Sequence, residues 1–197
     1  LHLPAIARAA GYEMQWQDLA DLSKVVPLLA HVYPSGVADV NQFHAAGGVA
    51  WLFKQLLGAG LMHRDVLTVC GEDLAAYTRE PYLREGVLEW RDVPSSSQAE
   101  SILRPVGKPF AAHSGLHLLE GNLGRAIVKT SAVAEEYWAI KAPARIFDCQ
   151  NSVIEAYNAG QLEGDMVVVL RFEGPAANGM PELHKLMPVL SNLQANG

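Results

Sequence analysis

The chain has 197 residues, of which 50% are hydrophobic and 18% charged, so it can bury a core and is not disordered throughout. Its formal net charge of −6 argues against general nucleic-acid binding, which needs a cationic surface. No apolar run approaches the roughly 20 residues that span a bilayer, so no membrane partner is expected. The two cysteines, Cys70 and Cys149, are too few for a disulfide scaffold, and with no secretory signal pattern they predict a cytoplasmic protein.

Helical patterns dominate the first half of the chain. Pro4 and Gly11 fit the first turn and the end of a first helix. Residues 16–32 carry apolar positions at nearly helical spacing, and Pro27 is expected to kink or divide that stretch. Because the chain opens within a helix and without an initiator methionine, we expect an internal segment of a longer protein.

A further helix is predicted after Asp39 or Asn41, either of which could cap it. Its apolar residues recur at helical spacing and predict one buried face, made by Val49, Leu52, Phe53, Leu56 and Leu57. Gly58 and Gly60 are expected to end this helix.

The amino-acid composition changes at residues 92–100, a polar and serine-rich stretch that is the best candidate for a linker. Short β-like runs separated by glycine, asparagine and proline follow it, at 116–119, 126–133 and 142–147. A helix is predicted at 151–159, and an apolar strand, buried on both faces, at 166–172. The residues alone therefore indicate the helical end of one domain, a linker, and a mostly β domain with a few helices.

No motif forms a complete active site, but the glycine pair Gly47 and Gly48, close after His44, is a candidate binding element. Paired glycines let a ligand approach the backbone, and His44 could donate a hydrogen bond to that ligand. The alternative is that the glycines allow tight helix packing and that His44 is an ordinary residue of a polar face. On these residues alone, the structural alternative is favoured.

Two later loops also allow two interpretations. Residues 121–125 could present backbone N–H groups to an anion, with Arg125 adding charge, but a turn between strands is preferred. In the loop 178–182, Glu182 could bind Mg²⁺ or only stabilise a helix dipole, and spacing alone favours the second. The two cysteines lack local partners and are interpreted as small buried residues rather than metal ligands.

Four stretches of the chain together resemble one protein family. They lie at 2–11, 21–52, 121–133 and 167–190 and include the segments FHAAGG and NGMPELHKL. They resemble the dehydratase family that joins dihydroxy-acid dehydratases with 6-phosphogluconate dehydratases. The two segments quoted look closer to the phosphogluconate branch, and the resemblance covers essentially the whole chain.

The resemblance implies an α/β plus mostly-β fold. The chain would hold the end of an α/β N-terminal domain followed by a β-barrel-like, swivel-type C-terminal domain, both incomplete. The expected boundaries are 1–91 for the first domain, 92–100 for the linker and 101–197 for the second domain. The active site of such an enzyme lies between the two domains.

The resemblance also implies the removal of water from a polyhydroxy acid. In the phosphogluconate branch, 6-phospho-D-gluconate gives 2-dehydro-3-deoxy-6-phospho-D-gluconate in the Entner–Doudoroff pathway. An iron–sulfur cluster, of the 4Fe–4S type, would act as Lewis acid on the leaving hydroxyl, and Mg²⁺ would stabilise charge at the substrate carboxylate. The implied partners are this phosphorylated sugar acid and a second copy of the chain in a homodimer. A dihydroxy-acid or sugar-acid dehydratase of the same family, or a non-catalytic ligand-binding protein, are the alternatives.

The resemblance also implies roles for individual residues. Glu182, in the GMPE segment, matches a Mg²⁺ ligand of relatives. His44, Gly47, Gly48 and Asn178 would lie near the substrate. The cluster cysteines, the other Mg²⁺ ligands and the serine base of the family match nothing in this chain. No catalytic residue is therefore expected in it, and the chain alone is expected to be inactive.

Overall fold

The computed structural model describes residues 2–71, 73–174, 179 and 183–196. Its internal contacts divide the chain into two compact units, one formed by residues 15–138 and one that joins 1–14 with 139–197. The domain boundaries predicted at residues 92 and 100 stay a prediction. Within the described ranges the architecture is a mixture of helices and small two-stranded sheets, and no closed barrel occurs there.

The helices of the 15–138 unit follow local sequence signals. They are α2 (Trp16–Val25), α3 (Val40–Ala45) and α4 (Gly48–Gly58), while α1 (His2–Ala9) belongs to the other unit. Helix α2 ends just before Pro27, as predicted, because proline cannot donate the backbone hydrogen bond that would continue it. A short 3₁₀ helix, Leu74–Thr78, follows α4.

Helix α3 begins at Asp39, one of its two predicted caps. The Asp39 carboxylate oxygen Oδ1 accepts the backbone N–H of Gln42 at 2.8 Å, and Gln42 Oε1 accepts the backbone N–H of Asp39 at 2.8 Å. This reciprocal pair satisfies two donors that a helix start would otherwise leave unpaired. The pair fixes the first residue of this six-residue helix. It thereby helps to set the positions of His44 within the helix and of Gly47 and Gly48 after it.

The buried face of α4 differs from the predicted one. Trp51 and Leu56 are buried, whereas Val49, which the prediction placed on the buried face, is 54% exposed. Tertiary contacts decide this outcome, because Trp51 enters the core cluster of the unit, formed with Ala46, Val93 and Leu103. The prediction at Val49 was therefore wrong, while the predicted end of the helix at Gly58 is confirmed.

Two antiparallel hairpins complete the description of the 15–138 unit. The first pairs β1 (Arg79–Arg84) with β2 (Val87–Asp92), and the second pairs β3 (Leu116–Gly121) with β4 (Gly124–Lys129). Glu85 and Gly86 both have positive φ, as a two-residue loop that matches strand twist requires. The predicted turn at 121–125 is confirmed as a hairpin loop, and Arg125 pairs across that hairpin with Glu120 at 3.1 Å.

The serine-rich stretch 92–100 packs against the unit. Val93 is buried in the core, and the backbone N–H of Gln98 donates to the carbonyl oxygen of Ala46 at 3.0 Å. The residues that follow pair with the segment after α2, through bridges from Leu28 to Ala111 and from Ala30 to Leu103. Polar composition alone did not reveal these contacts.

The other unit is built on a parallel pair of strands. Strand β5 (Ala144–Phe147) leads into α5 (Gln150–Asn158), and the chain returns through β6 (Val167–Leu170) beside β5 and ends in α6 (Met187–Asn196). A 3₁₀ helix, Leu183–Leu186, precedes α6. The core of this unit consists of Val153, Ala156, Leu162 and Leu186.

The helix predicted at 151–159 is confirmed in this unit, but β6 is not buried on both faces. Val167 and Val169 are 39% and 36% exposed, because within the described residues the sheet has two strands and packs one face on its core cluster. None of the described helices is long and apolar enough to cross a membrane.

Replacing Asp39 by alanine should loosen α3. The loss of an N-cap is worth about 0.5–2 kcal/mol, so hydrogen–deuterium exchange of the α3 amides in the full-length protein should accelerate by about twofold to thirtyfold. Asn41→Ala is the matched control, because Asn41 makes no capping bond in the described structure. Equal exchange rates in the two variants would contradict the capping role of Asp39.

Candidate functional site

Two consecutive glycines make the turn between α3 and α4. Gly47 has φ 134° and Gly48 has φ 61°, both in the region that side chains disfavour. A Cβ atom on Gly47 would lie 2.8 Å from Trp51 Cβ and 3.0 Å from its Cγ. One on Gly48 would meet the His44 Nδ1 atom at 3.4 Å. Gly47 is therefore required both by backbone conformation and by space, which is the tight packing that the sequence favoured.

Hydrogen bonds hold this turn against the serine-rich stretch. The carbonyl oxygen of Ala46 accepts the backbone N–H of Gln98 at 3.0 Å and the hydroxyl of Ser97 at 3.4 Å. From α4, the Lys54 ammonium donates to the carbonyl oxygen of Val93 at 3.2 Å. Residues 93–98 are thus fixed beside the glycine turn.

A cavity of about 480 Å³ lies beside the glycine turn. It is lined by residues from α3, from the turn, from both strands of the first hairpin and from the serine-rich stretch: His44, Ala45, Gly47, Glu80, Arg91, Asp92, Pro94 and Gln98. Two predicted substrate-binding residues, His44 and Gly47, therefore line one cavity. Gly48 is buried at the start of α4.

The charges of this cavity are arranged in pairs. The Arg91 guanidinium donates to Glu80, with Nη2 at 3.0 Å from Oε1 and Nε at 3.3 Å from Oε2. This hydrogen bonding raises the pKa of Arg91 above its ordinary value, so the guanidinium stays charged. The Asp92 carboxylate lies 3.4 Å from the Arg79 guanidinium. The cavity is consequently polar but nearly neutral.

The ring of Tyr82 also restrains Arg91. The Arg91 Cζ atom lies 5.1 Å from the centre of that ring. The Tyr82 hydroxyl donates to the Glu89 carboxylate, and this hydrogen bond raises the pKa of Tyr82. Arg91 is thus held by a carboxylate and an aromatic face while its guanidinium lines the cavity.

Trp51 packs against the glycine turn. Its side chain is 1% exposed, and its Nε1–H finds no acceptor among the residues that the structure describes. Its Cδ1, the ring atom bonded to Nε1, lies 3.4 Å from the position that a Gly47 Cβ would take. The indole therefore fills the space in which a side chain at residue 47 would stand.

A second cavity, of about 360 Å³, is lined in part by Gln42 of α3. His31 also lines it and stacks on Phe110, with ring centres 3.8 Å apart. Burial, and then the positive charge of Arg104, lower the pKa of His31. Most of the remaining lining is apolar or glycine, so this cavity offers fewer polar groups than the first.

The remaining predicted site residues fall elsewhere. Asn178 and Glu182 lie outside the described residues, so their predicted roles stay predictions. Cys70 and Cys149 are both exposed, which corrects the expectation that they are buried, and they belong to different compact units. At the start of α5, a hydrogen bond from the Ser152 side chain lowers the pKa of Cys149.

The described residues do not fit a metal centre. In ranges 2–71, 73–174, 179 and 183–196, no three His, Cys, Asp or Glu side chains gather to hold a metal ion. Neither an iron–sulfur cluster nor Mg²⁺ can therefore be assigned to this part of the chain. The site that these residues do form is the cavity beside the glycine turn.

The sequence missed the residues of the first hairpin that line this cavity. Arg91 and Glu80 face each other across β1 and β2, a pairing that depends on strand register. The available signal was Glu85-Gly86 between two β-compatible runs, which favours a two-residue hairpin loop. The position of Gln98 in the lining is also unexpected, because the polar composition of its segment predicts a linker.

Comparison with known proteins identifies the family. The model for the dihydroxy-acid/6-phosphogluconate dehydratase N-terminal region matches residues 1–77, and the model for the C-terminal region of the same family matches residues 101–197. The chain belongs to the dihydroxy-acid/6-phosphogluconate dehydratase family, as its motifs predicted.

Curated phosphogluconate dehydratases share more identical residues with this chain than a curated dihydroxy-acid dehydratase does. A phosphogluconate dehydratase of Pseudomonas aeruginosa is 57% identical over 197 residues, which are 100% of this chain and 32% of that protein. A phosphogluconate dehydratase of Escherichia coli K12 is 53% identical over 193 residues, 98% of this chain and 32% of that protein. A dihydroxy-acid dehydratase of Caldanaerobacter subterraneus is 36% identical over 199 residues, 100% of this chain and 33% of that protein. The chain thus spans about a third of the length of these relatives.

Replacing Gly47 by alanine should disrupt the turn. The methyl group would enter the space of Trp51 with a strained backbone, and such strain costs about 1–3 kcal/mol per residue. We expect a lower melting temperature and faster amide exchange in α4 of the full-length protein.

Gly58→Ala, at the end of the same helix, is the matched control. Nothing lies within 4 Å of its added Cβ, so that change should be neutral or stabilising. A Gly47→Ala variant as stable as the Gly58→Ala variant would contradict the packing described for the turn.

Proposed function

We propose that the whole protein is a hydro-lyase that converts 6-phospho-D-gluconate to 2-dehydro-3-deoxy-6-phospho-D-gluconate and water. The observation that carries this proposal is the 57% identity, over all 197 residues, with a phosphogluconate dehydratase, against 36% with a dihydroxy-acid dehydratase. The product class belongs to the Entner–Doudoroff pathway of carbohydrate metabolism. A polar cavity beside the glycine turn, large enough for a small organic acid, is consistent with it.

The reaction makes two chemical demands. The C3 hydroxyl is a poor leaving group and needs a Lewis acid, and the charge that develops when C2 loses its proton must be stabilised at the carboxylate. An iron–sulfur cluster would supply the first function and Mg²⁺ the second, with Glu182 proposed as a Mg²⁺ ligand. The proposed contribution of the residues around the glycine turn is to bind and orient the substrate.

The glycine turn supports such a binding role. Gly47 presents backbone without a side chain at the cavity wall, so a substrate can approach the main chain closely. His44 lines the same cavity and can donate or accept a hydrogen bond. Gly48 positions the start of α4 and is proposed to act through the turn, and Asn178 is proposed to contact the substrate.

Family membership supports a proposal about the domain to which the second half of the chain belongs. We propose that residues 101–197, matched by the C-terminal family model, belong to a β-barrel-like domain that residues outside this chain complete. We further propose a homodimeric enzyme of the cytoplasm that acts on a phosphorylated small molecule.

Substrate preference of the full-length protein tests the proposed reaction. The ratio kcat/KM should be higher for 6-phospho-D-gluconate than for 2,3-dihydroxy-3-methylbutanoate by about a hundredfold or more, because buried groups that pair with the longer substrate stay unpaired with the shorter one. Equal or reversed preference would favour the alternative, a dihydroxy-acid dehydratase, to which the chain is also related over its whole length.

A Glu182→Gln variant tests the proposed metal ligand. Loss of one carboxylate ligand should raise the Mg²⁺ concentration for half-maximal activity by about tenfold or more and lower kcat, with an unchanged circular dichroism spectrum. Glu163→Gln, which changes an exposed glutamate in the loop after α5, is the matched control. A Mg²⁺ titration that coincides with that of the control would refute the role of Glu182.

A further inference from the structure

We infer that the cavity beside the glycine turn binds the hydroxylated carbon chain of an acyclic sugar acid beyond C3, and that Arg91 determines this specificity. The inference rests on the proposed function and deepens it, because it assigns one part of the substrate to one set of residues. It concerns the C4 and C5 hydroxyl groups, which lie outside the reacting C2–C3 bond.

The charge balance of the cavity favours hydroxyl groups over a phosphate. Glu80 neutralises Arg91, and Arg79 neutralises Asp92, so no net positive charge is left to attract a dianion. Hydroxyl groups both donate and accept, and the cavity offers both kinds of partner. Carboxylate oxygens of Glu80 and Asp92 accept, while the Arg91 guanidinium and the Gln98 amide donate.

Arg91 is prepared for such binding. Of the five N–H donors of a guanidinium, one on Nε and one on Nη2 are directed to Glu80. The structure shows no other acceptor for Arg91 among the described residues. The group is already ordered by Glu80 and the Tyr82 ring, so binding a diol through its remaining donors costs little conformational entropy.

The glycine turn and its neighbour α3 add further groups to the lining. His44, from α3, can donate or accept a hydrogen bond, and Gly47 contributes backbone without a side chain. The lining therefore combines donors and acceptors from α3, from the first hairpin and from Gln98, as a chain with several hydroxyl groups requires.

The position of these residues in the family pattern also supports a specificity role. The two family models match residues 1–77 and 101–197, and the stretch 78–100 lies between them. That stretch supplies most of the charged and polar lining, namely Glu80, Arg91, Asp92 and Gln98. The alignment with the phosphogluconate dehydratase of Pseudomonas aeruginosa nevertheless extends over all 197 residues. Because residues 78–100 lie outside both family models, they are suited to differ between family members that act on different substrates.

The test compares Arg91→Met and Arg91→Lys with Arg84→Met in the full-length protein, by calorimetric titration with three probes. D-gluconate has the full hydroxylated chain, D-glycerate has only the carboxylate and the C2 and C3 hydroxyls, and inorganic phosphate has neither. Arg84 lies on the same hairpin, 3.9 Å from Glu89, and does not line the cavity.

Arg91→Met should weaken D-gluconate binding by about tenfold to a hundredfold, as expected for lost hydrogen bonds from a charged group. Arg91→Lys should lose part of the affinity, since an ammonium keeps the charge but not the planar fork. Binding of D-glycerate and of phosphate should be unchanged, and Arg84→Met should bind all three probes as the unmodified protein does.

Three results would overturn the inference. They are a loss of phosphate binding, an equal loss of D-glycerate and D-gluconate binding, or unchanged D-gluconate binding in both Arg91 variants. If Arg91→Met does not fold, Arg91→Lys decides alone. The proposed reaction fails separately, when the unmodified protein does not turn over 6-phospho-D-gluconate, and the binding titrations do not depend on that result.

Discussion

The backbone of Gly47 is the constraint on which the described site depends. Its positive φ turns the chain from α3 into α4, and the missing Cβ lets Trp51 pack directly against it. Trp51 packs with Val93 and Leu103 in the core cluster, and the serine-rich stretch that contains Val93 therefore lies beside the turn. The turn fixed by this packing also contributes Gly47 to the lining of the cavity for which a substrate-binding role is proposed.

The first hairpin gives the cavity its chemical character. Antiparallel register places Arg91 opposite Glu80, and Arg79 opposite Asp92, so each positive charge meets a negative one. Exposed ion pairs of this kind add about 0–1 kcal/mol to stability, which is too little to explain the arrangement by folding alone. Their larger effect is on recognition, because they fix the directions of donors and acceptors while keeping the cavity close to neutral. Hydroxyl groups are the partners that such a surface suits best.

Local signals in the sequence predicted much of the fold. The cap at Asp39, the stop at Gly58 and the hairpin loop at 121–125 each depend on a few neighbouring residues, and each is confirmed. The failures have a different origin. The buried face of α4 and the packing of residues 92–100 depend on contacts between distant segments, which composition and periodicity do not report. Among the residues that line the cavity, the sequence indicated His44 and Gly47 but not Arg91, because only strand register brings Arg91 there.

Family motifs and physical reasoning contributed different parts of the account. The motifs identified the dehydratase family, whereas the residues alone favoured a purely structural glycine pair. The structure confirms the tight packing of Gly47 and places it in the lining of a polar cavity, while its role in binding stays a proposal. The central claim, that this cavity receives substrate, is tested most directly by a crystal structure of the full-length protein with 6-phospho-D-gluconate. We predict the C4 or C5 hydroxyl oxygen within about 3.2 Å of an Arg91 nitrogen, with the carbon chain beside Gly47. An ordered substrate bound elsewhere, with only water in this cavity, would contradict the claim.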